Sequence, residues 1–259
     1  MNSNFFAYGC SFTKYDWSTW ADIIGSCFYK QEVPRKQFNY GEPGSGNLYS
    51  YIMLMETLSK GLITSNDVVI ICWTNVSRED RFIKGSWKLC GNIFSQNFYP
   101  KEFIEKYVDV EGFYIKDLAL IYGAKLALEK IGCKYYFISM VPFASPEQYF
   151  LKISEYPIMK TYSTLLAQMG PNFYEFFEYK WNNCKKFPLC KYDAHPTPLA
   201  HLLFVQKTFP QFTIQDEVIK RVKEQTDLIL NLDNKSKDYH EHRALIAETP
   251  SHKLNLFFN

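Results

Sequence analysis

The string FFAYGCSFTKY (5–15) breaks off its apolar run at Gly9, and a serine follows two residues later. A serine hydroxyl is a weak nucleophile until a neighbouring base takes its proton. Ser11 is therefore a candidate for nucleophilic chemistry if the fold brings a base to it. It is equally a residue type that closes turns and caps helices. Two further small or polar residues stand at comparable places. Gly44 lies in NYGEPGSGN (39–47), just past a second strand candidate, and Asn75 ends the apolar run DVVIICWTN (67–75).

The elements that would position these residues are legible from period and breakers. NFFAYG (4–9) is a short buried-strand candidate. DWSTWADIIG (16–25) carries Trp17, Trp20, Ala21 and Ile24 at helical spacing, with Asp16 placed to cap it and Gly25 to stop it. KQFNYGEPGSGN (36–47) reads as a strand running into a Gly/Pro turn, and LYSYIMLMETLSKG (48–61) as a helix. DVVIICWTN is β-branched and apolar on both faces, as a central strand of a parallel sheet would be. Residues 78–113 read as an irregular insertion. YIKDLALIYGAKLALEKIG (114–132) is a helix, KYYFISMVP (134–142) a strand, and 143–192 short helices and loops. Two more helices follow, at 197–209 and 213–232, and then a polar tail at 233–259 that is expected to be peripheral.

Strands alternating with helices predict an α/β fold, a three-layer α/β/α sandwich around a mostly parallel sheet. One domain spanning 1–232 is expected, with insertions near 78–113 and 143–192. In such sheets ligands gather at the carboxyl ends of the strands. Ser11, Gly44 and Asn75 would meet along that rim.

Four blocks in this order resemble the SGNH (GDSL-type) hydrolase superfamily. YGCSFT (8–13) is similar to the block carrying the nucleophilic serine, here Ser11. NYGEPGSGN is similar to the block with the oxyanion glycine, here Gly44. CWTNVSRED (72–80) is similar to the block with the oxyanion amide, here Asn75. YDAHPTPLAH (192–201) is similar to the last block, with Asp193 and His195. Cys10, Trp73 and Val76 depart from the family pattern, and Asp193 stands two residues before His195 rather than three. The resemblance implies a serine esterase cleaving an acyl ester, such as an acetyl group on a larger carrier of carbohydrate type. Ser11 would attack, His195 would act as base, and Asp193 would orient the imidazole. The Ser11 and Gly44 N–H groups and the Asn75 amide would form the oxyanion hole. Acyl transfer to an alcohol acceptor, and a non-catalytic ligand-binding module, stay open on the same fold.

Other residues admit two readings. Cys10 could itself be a nucleophile, but strand alternation points it away from Ser11. Trp73 and Arg78 could contact substrate, or serve the core and a local ion-pair network. His201 reads as a packing residue, and His240 and His242 as part of a solvated tail. Their i, i+2 spacing makes a poor metal pair on a helix, so neither metal nor cofactor is implied. A net charge of +2 gives no footprint for nucleic acid or an anionic surface. Seven cysteines without a C-x-x-C pair fit a reduced chain. With no basic leader followed by a long apolar run, a cytoplasmic protein without a membrane span is expected.

Overall fold

The computed structural model describes residues 3–28, 37–94, 98–143, 156–180, 183–184, 190–193 and 195–256. In chain order the elements are β1 (Phe5–Gly9), α1 (Trp20–Ser26), β2 (Gln37–Asn39), α2 (Asn47–Ser59), β3 (Val68–Trp73), β4 (Arg78–Ile83), β5 (Ser86–Asn92), α3 (Lys101–Tyr107), α4 (Val110–Ile131) and β6 (Lys134–Ser139). They continue with α5 (Ile158–Ala167), α6 (Phe173–Phe176), β7 (Tyr179–Lys180), β8 (Asn183–Cys184), α7 (Pro198–Thr208), α8 (Asp216–Lys235), α9 (Tyr239–Glu248) and α10 (Ser251–Leu254).

β1 and β3 are buried along their whole length, as their unbroken apolar sequences require. They form the middle of a parallel sheet with strand order β2-β1-β3-β6. Moving outward from β1 to β2 and then back across to β3 demands right-handed crossovers on opposite faces. Accordingly α1 packs with α7, and α7 with α8, while α2 packs with α4 and α4 with α5. The protein is an α/β sandwich with a central parallel sheet. The register pairs Gly9 with Cys72 and Trp73 with Ser139, so β1, β3 and β6 end together.

Several boundaries differ from the sequence expectation. α1 starts at Trp20, not Asp16. Thr19 and Asp22 form a capping box there, which satisfies two N-terminal donors reciprocally. Gly25 lies inside the helix and is not its stop. Within 78–113 the described residues are not irregular: they hold the antiparallel hairpin β4–β5, then α3, then the first turn of α4, which Asp109 caps. The expected loops of 143–192 fall partly outside the described residues. The tail is not peripheral either. Ile246 and Leu254 join Trp17, Cys190 and Ile229 in a second hydrophobic cluster, and His242 is fully buried beside it.

One glycine is set by the fold. Gly9 has φ +150°, and a Cβ there would stand 2.2 Å from Thr13 Oγ1 and 2.8 Å from the Cys72 carbonyl oxygen. Both the backbone conformation and the crowding select against any side chain. Gly9→Ala is expected to cost about 2–4 kcal/mol, combining strained backbone with overpacking. The urea midpoint reports it, and an unchanged midpoint would show that the β1 end is not held as described.

Candidate active site

The chain leaves β1 through a tight turn in which Thr13 N–H donates to the Cys10 carbonyl at 2.8 Å. Ser11 occupies the position after Cys10 in that turn. Two donors, Thr19 Oγ1 at 2.6 Å and Asn39 Nδ2 at 2.9 Å, pin the Thr13 carbonyl and so fix the turn from α1 and β2. Cys10 is fully buried. Ser11 is 5% exposed and is the side chain that meets the imidazole.

His195 Nε2 lies 2.9 Å from Ser11 Oγ, across 184 residues of sequence. His195 Nδ1 lies 2.7 Å from Asp193 Oδ1. The carboxylate accepts a hydrogen bond from the Nδ1–H, so Nε2 is the bare nitrogen facing the serine. The short spacing between Asp193 and His195 works through a turn: the His195 backbone N–H also donates to Asp193 Oδ1, at 3.0 Å. An Asp that bonds the backbone two residues on forms an Asx-turn, and here the same oxygen accepts both donors. At the position three before His195 stands Tyr192, whose hydroxyl accepts from Lys191 Nζ at 2.8 Å and whose N–H donates to Asp233.

Two residues beyond the four blocks complete the environment of Asp193. Tyr15 stacks on the His195 ring with centroids 3.9 Å apart, and its hydroxyl donates to Asp193 Oδ2 at 2.6 Å. Arg243, from α9, donates to the Tyr15 hydroxyl at 3.1 Å, pairs with Asp16, and lies 3.8 Å from Asp193 Oδ2. Burial pushes the Asp193 carboxyl up. The His195 ring and N–H and the Tyr15 hydroxyl outweigh it and hold the carboxyl below its ordinary value. Burial, the Asp193 charge and the shared hydrogen bond push the Tyr15 phenol well up, so it stays a donor. Tyr15 had a local signal, four residues after Ser11. Arg243 had none.

Gly44 and Asn75 reach the same rim by different routes. Gly44 has φ +82°, and a Cβ there would sit 3.1 Å from the Leu89 carbonyl oxygen. The β4–β5 hairpin thus lies against this turn, and Gly91 N–H donates to the Gly44 carbonyl at 3.0 Å. Ser45 Oγ donates to the Gly9 carbonyl at 3.1 Å, tying the turn to the end of β1. Asn75 Oδ1 accepts from Ser77 N–H at 2.9 Å and Ser77 Oγ at 2.8 Å, which orients the amide and turns its NH₂ the other way. Among the described residues, neither the Ser11 nor the Gly44 N–H has an acceptor.

Three further expectations resolve plainly. Trp73 is 0% exposed and packs edge-on against Phe137, so it is a core residue with no face for a ligand. Arg78 Nη1 donates to the Ser45 carbonyl at 3.0 Å and braces the Gly44–Gly46 turn. His201 is buried against Phe173, and burial above all, with the His195 imidazole nearby, brings its pKa down to about 3. A cavity of about 310 Å³ beside β6, lined among others by Tyr135, Phe137, Leu165 and Phe209, contains none of Ser11, Asp193 or His195.

A buried polar bridge holds the Asn75 end of β3. Asn47 Oδ1 accepts from Thr74 N–H at 2.8 Å, and its Nδ2 donates to the Thr74 carbonyl at 3.1 Å and to Asp117 Oδ2 at 2.7 Å. Burial raises Asp117 to about 7, against the pull of Lys116 and Asn47. Its unfolded value is about 3.9. The folded state therefore binds this proton more tightly. The associated stability is full below about pH 4 and is lost as pH rises through about 7. Asp117→Asn keeps an acceptor for Asn47 and removes the titration. The variant should be more stable than the parent by roughly 1–3 kcal/mol at pH 8 and by far less at pH 4. Urea unfolding at the two pH values checks this, and a difference independent of pH would contradict it.

No family model and no curated protein matches the chain. In outline it is similar to three solved structures. A protein described as an acylhydrolase, from Bacteroides fragilis NCTC 9343, is 12% identical at TM-score 0.44, with 85% of this chain and 88% of that one covered. A member of the lipolytic protein G-D-S-L family from Veillonella parvula DSM 2008 is 14% identical at TM-score 0.42, covering 81% and 99%. A GDSL-like lipase from Bacteroides thetaiotaomicron VPI-5482 is 13% identical at TM-score 0.44, covering 85% and 89%. No described helix is long and apolar enough to cross a membrane.

Proposed function

We propose that the protein is a serine ester hydrolase of SGNH type. The single observation that carries this reading is the unbroken hydrogen-bonded line from Ser11 Oγ through the His195 ring to Asp193, at 2.9 and 2.7 Å. His195 Nε2 takes the serine proton as Ser11 Oγ attacks the ester carbonyl. The imidazolium that forms is held by Asp193 and then returns the proton to the leaving alcohol. Water repeats the sequence on the acyl-enzyme and frees the acid. The Ser11 and Gly44 N–H groups, with the Asn75 amide, receive the developing oxyanion.

The alcohol side is proposed to be a larger carrier of carbohydrate type. The hairpin that seats against Gly44 also presents Phe82, 62% exposed, packed edge-on to Trp87, with Trp87 packed edge-on to Tyr49. Such rings offer flat apolar faces to the apolar face of a sugar, and Trp87 and Tyr49 add an N–H and an O–H.

A biotinylated fluorophosphonate tests the reaction class. Labelling at Ser11, mapped by peptide mass spectrometry and abolished in Ser11→Ala, is the expected result. Labelling elsewhere, or none on folded protein, rejects the nucleophile.

A further inference from the structure

We propose that Cys190, Asp233 and His242 form a binding site for a divalent zinc-type cation that ties the loop bearing Asp193 and His195 to the C-terminal helices. The three residues come from three segments: the loop before Asp193, the end of α8, and α9. Their donor atoms all lie within 4.8 Å of one another, and all three residues are buried. Thiolate, imidazole and carboxylate are together a zinc-type donor set. Ligand atoms around a tetrahedral ion at about 2.0–2.3 Å stand about 3.5 Å apart, so binding draws this cluster inward by roughly an ångström.

The imidazole is the independent pointer. His242 is 0% exposed, and neither ring nitrogen has a hydrogen-bond partner among the described residues. Its Nδ1 faces Asp233 Oδ1 at 3.8 Å, too far for a hydrogen bond. A buried ring with two unmet nitrogens is costly, and a cation would satisfy one of them. Asp233 is already oriented: its two oxygens accept from the Lys191 N–H at 2.6 Å and the Tyr192 N–H at 3.1 Å. Metal-binding side chains are commonly held by such hydrogen bonds, and a carboxylate has lone pairs left for the ion.

Binding breaks the Cys190 S–H bond, releases that proton to solvent and leaves thiolate on the ion. His242 binds as neutral imidazole and Asp233 as carboxylate. No electron changes hands. One residue beyond His242, Arg243 reaches Tyr15 and Asp193, so the site fixes the backing of the acid without touching substrate.

The test does not depend on ester turnover. Full-length protein is purified without chelator, dialysed against metal-free buffer, and analysed for metal by plasma mass spectrometry. The stripped protein is then titrated with Zn²⁺ and with Co²⁺. The expected results are about one zinc bound per chain, a melting temperature raised by several degrees, and a thiolate-to-cobalt charge-transfer band. Cys190→Ser should lose that band, and His242→Ala should weaken Co²⁺ binding by more than the roughly 10–100-fold typical of losing a supporting hydrogen bond. Failure of wild-type protein to bind either ion, or a band that survives Cys190→Ser, overturns the site. Both readouts on wild-type protein remain decisive should a variant fail to fold. A metal-free protein labelled normally at Ser11 would sink this site and leave the hydrolase reading standing.

Discussion

Ser11→Ala is expected to lower kcat on a small chromogenic ester by roughly 10⁴–10⁶-fold while KM changes little, the scale seen when a triad nucleophile is removed from serine hydrolases. The reason lies in what is left. The turn at Cys10–Thr13 is held by backbone and by Thr19 and Asn39, none of which needs the serine hydroxyl. The Gly44 N–H, the Asn75 amide and His195 are therefore expected to stay in place, with only the proposed attacking atom gone. Residual turnover then comes from bound water. The folded state should be nearly unaffected, because the one hydrogen bond lost is to a partly exposed imidazole. Unchanged turnover in the variant would move the chemistry away from Ser11.

Asp193→Asn is expected to lower kcat by roughly 10³–10⁴-fold, through the tautomer of His195. In the parent, Asp193 Oδ1 accepts the Nδ1 proton and leaves Nε2 free to accept from Ser11. A carboxamide can present its NH₂ to Nδ1. The ring proton then shifts to Nε2 and faces the serine, where it cannot act as base. The pH dependence separates this from simple loss of structure. The Asp193 carboxyl lies below its ordinary value, so its contribution to stability is present above about pH 4 and is lost as pH falls through its folded value. The variant should therefore lose that acid-side dependence, while its turnover deficit persists at neutral pH in protein that is folded by circular dichroism. The Tyr15 hydroxyl and Arg243, which face the same carboxylate, lose an anion, which costs roughly 1–3 kcal/mol. Full turnover by folded variant would show that another group orients the imidazole.

Much of the frame was written locally. β1 and β3 are short apolar runs closed by breakers, and a strand buried on both faces can hardly read otherwise. Their ends put Ser11 and Asn75 on one rim before any contact was known. The misplaced boundaries were those decided by side-chain bonds over a few residues. Thr19 with Asp22 starts α1 later than the apolar period implies, and Asp109 starts α4 earlier. The hairpin β4–β5 was missed because its pattern of burial is mixed and carries charge on both sides, so neither helical nor strand period stands out.

The candidate nucleophile, its base and the layered α/β frame follow from the order of residues alone, because hydrophobic period and turn chemistry act over a few positions. The spacing of Asp193 to His195 is unusual in sequence, and only the fold has a turn in which one Asp193 oxygen serves both the ring and the backbone of His195. Its support was beyond sequence reasoning altogether: Tyr15 lies 178 residues from Asp193, and Arg243 lies 228 from Tyr15. The burial of His242 beside Cys190 and Asp233 belongs to the same class. No periodicity links such positions. They meet only because helices α8 and α9 fold back over the loop that ends β1, and that packing is a property of the whole chain.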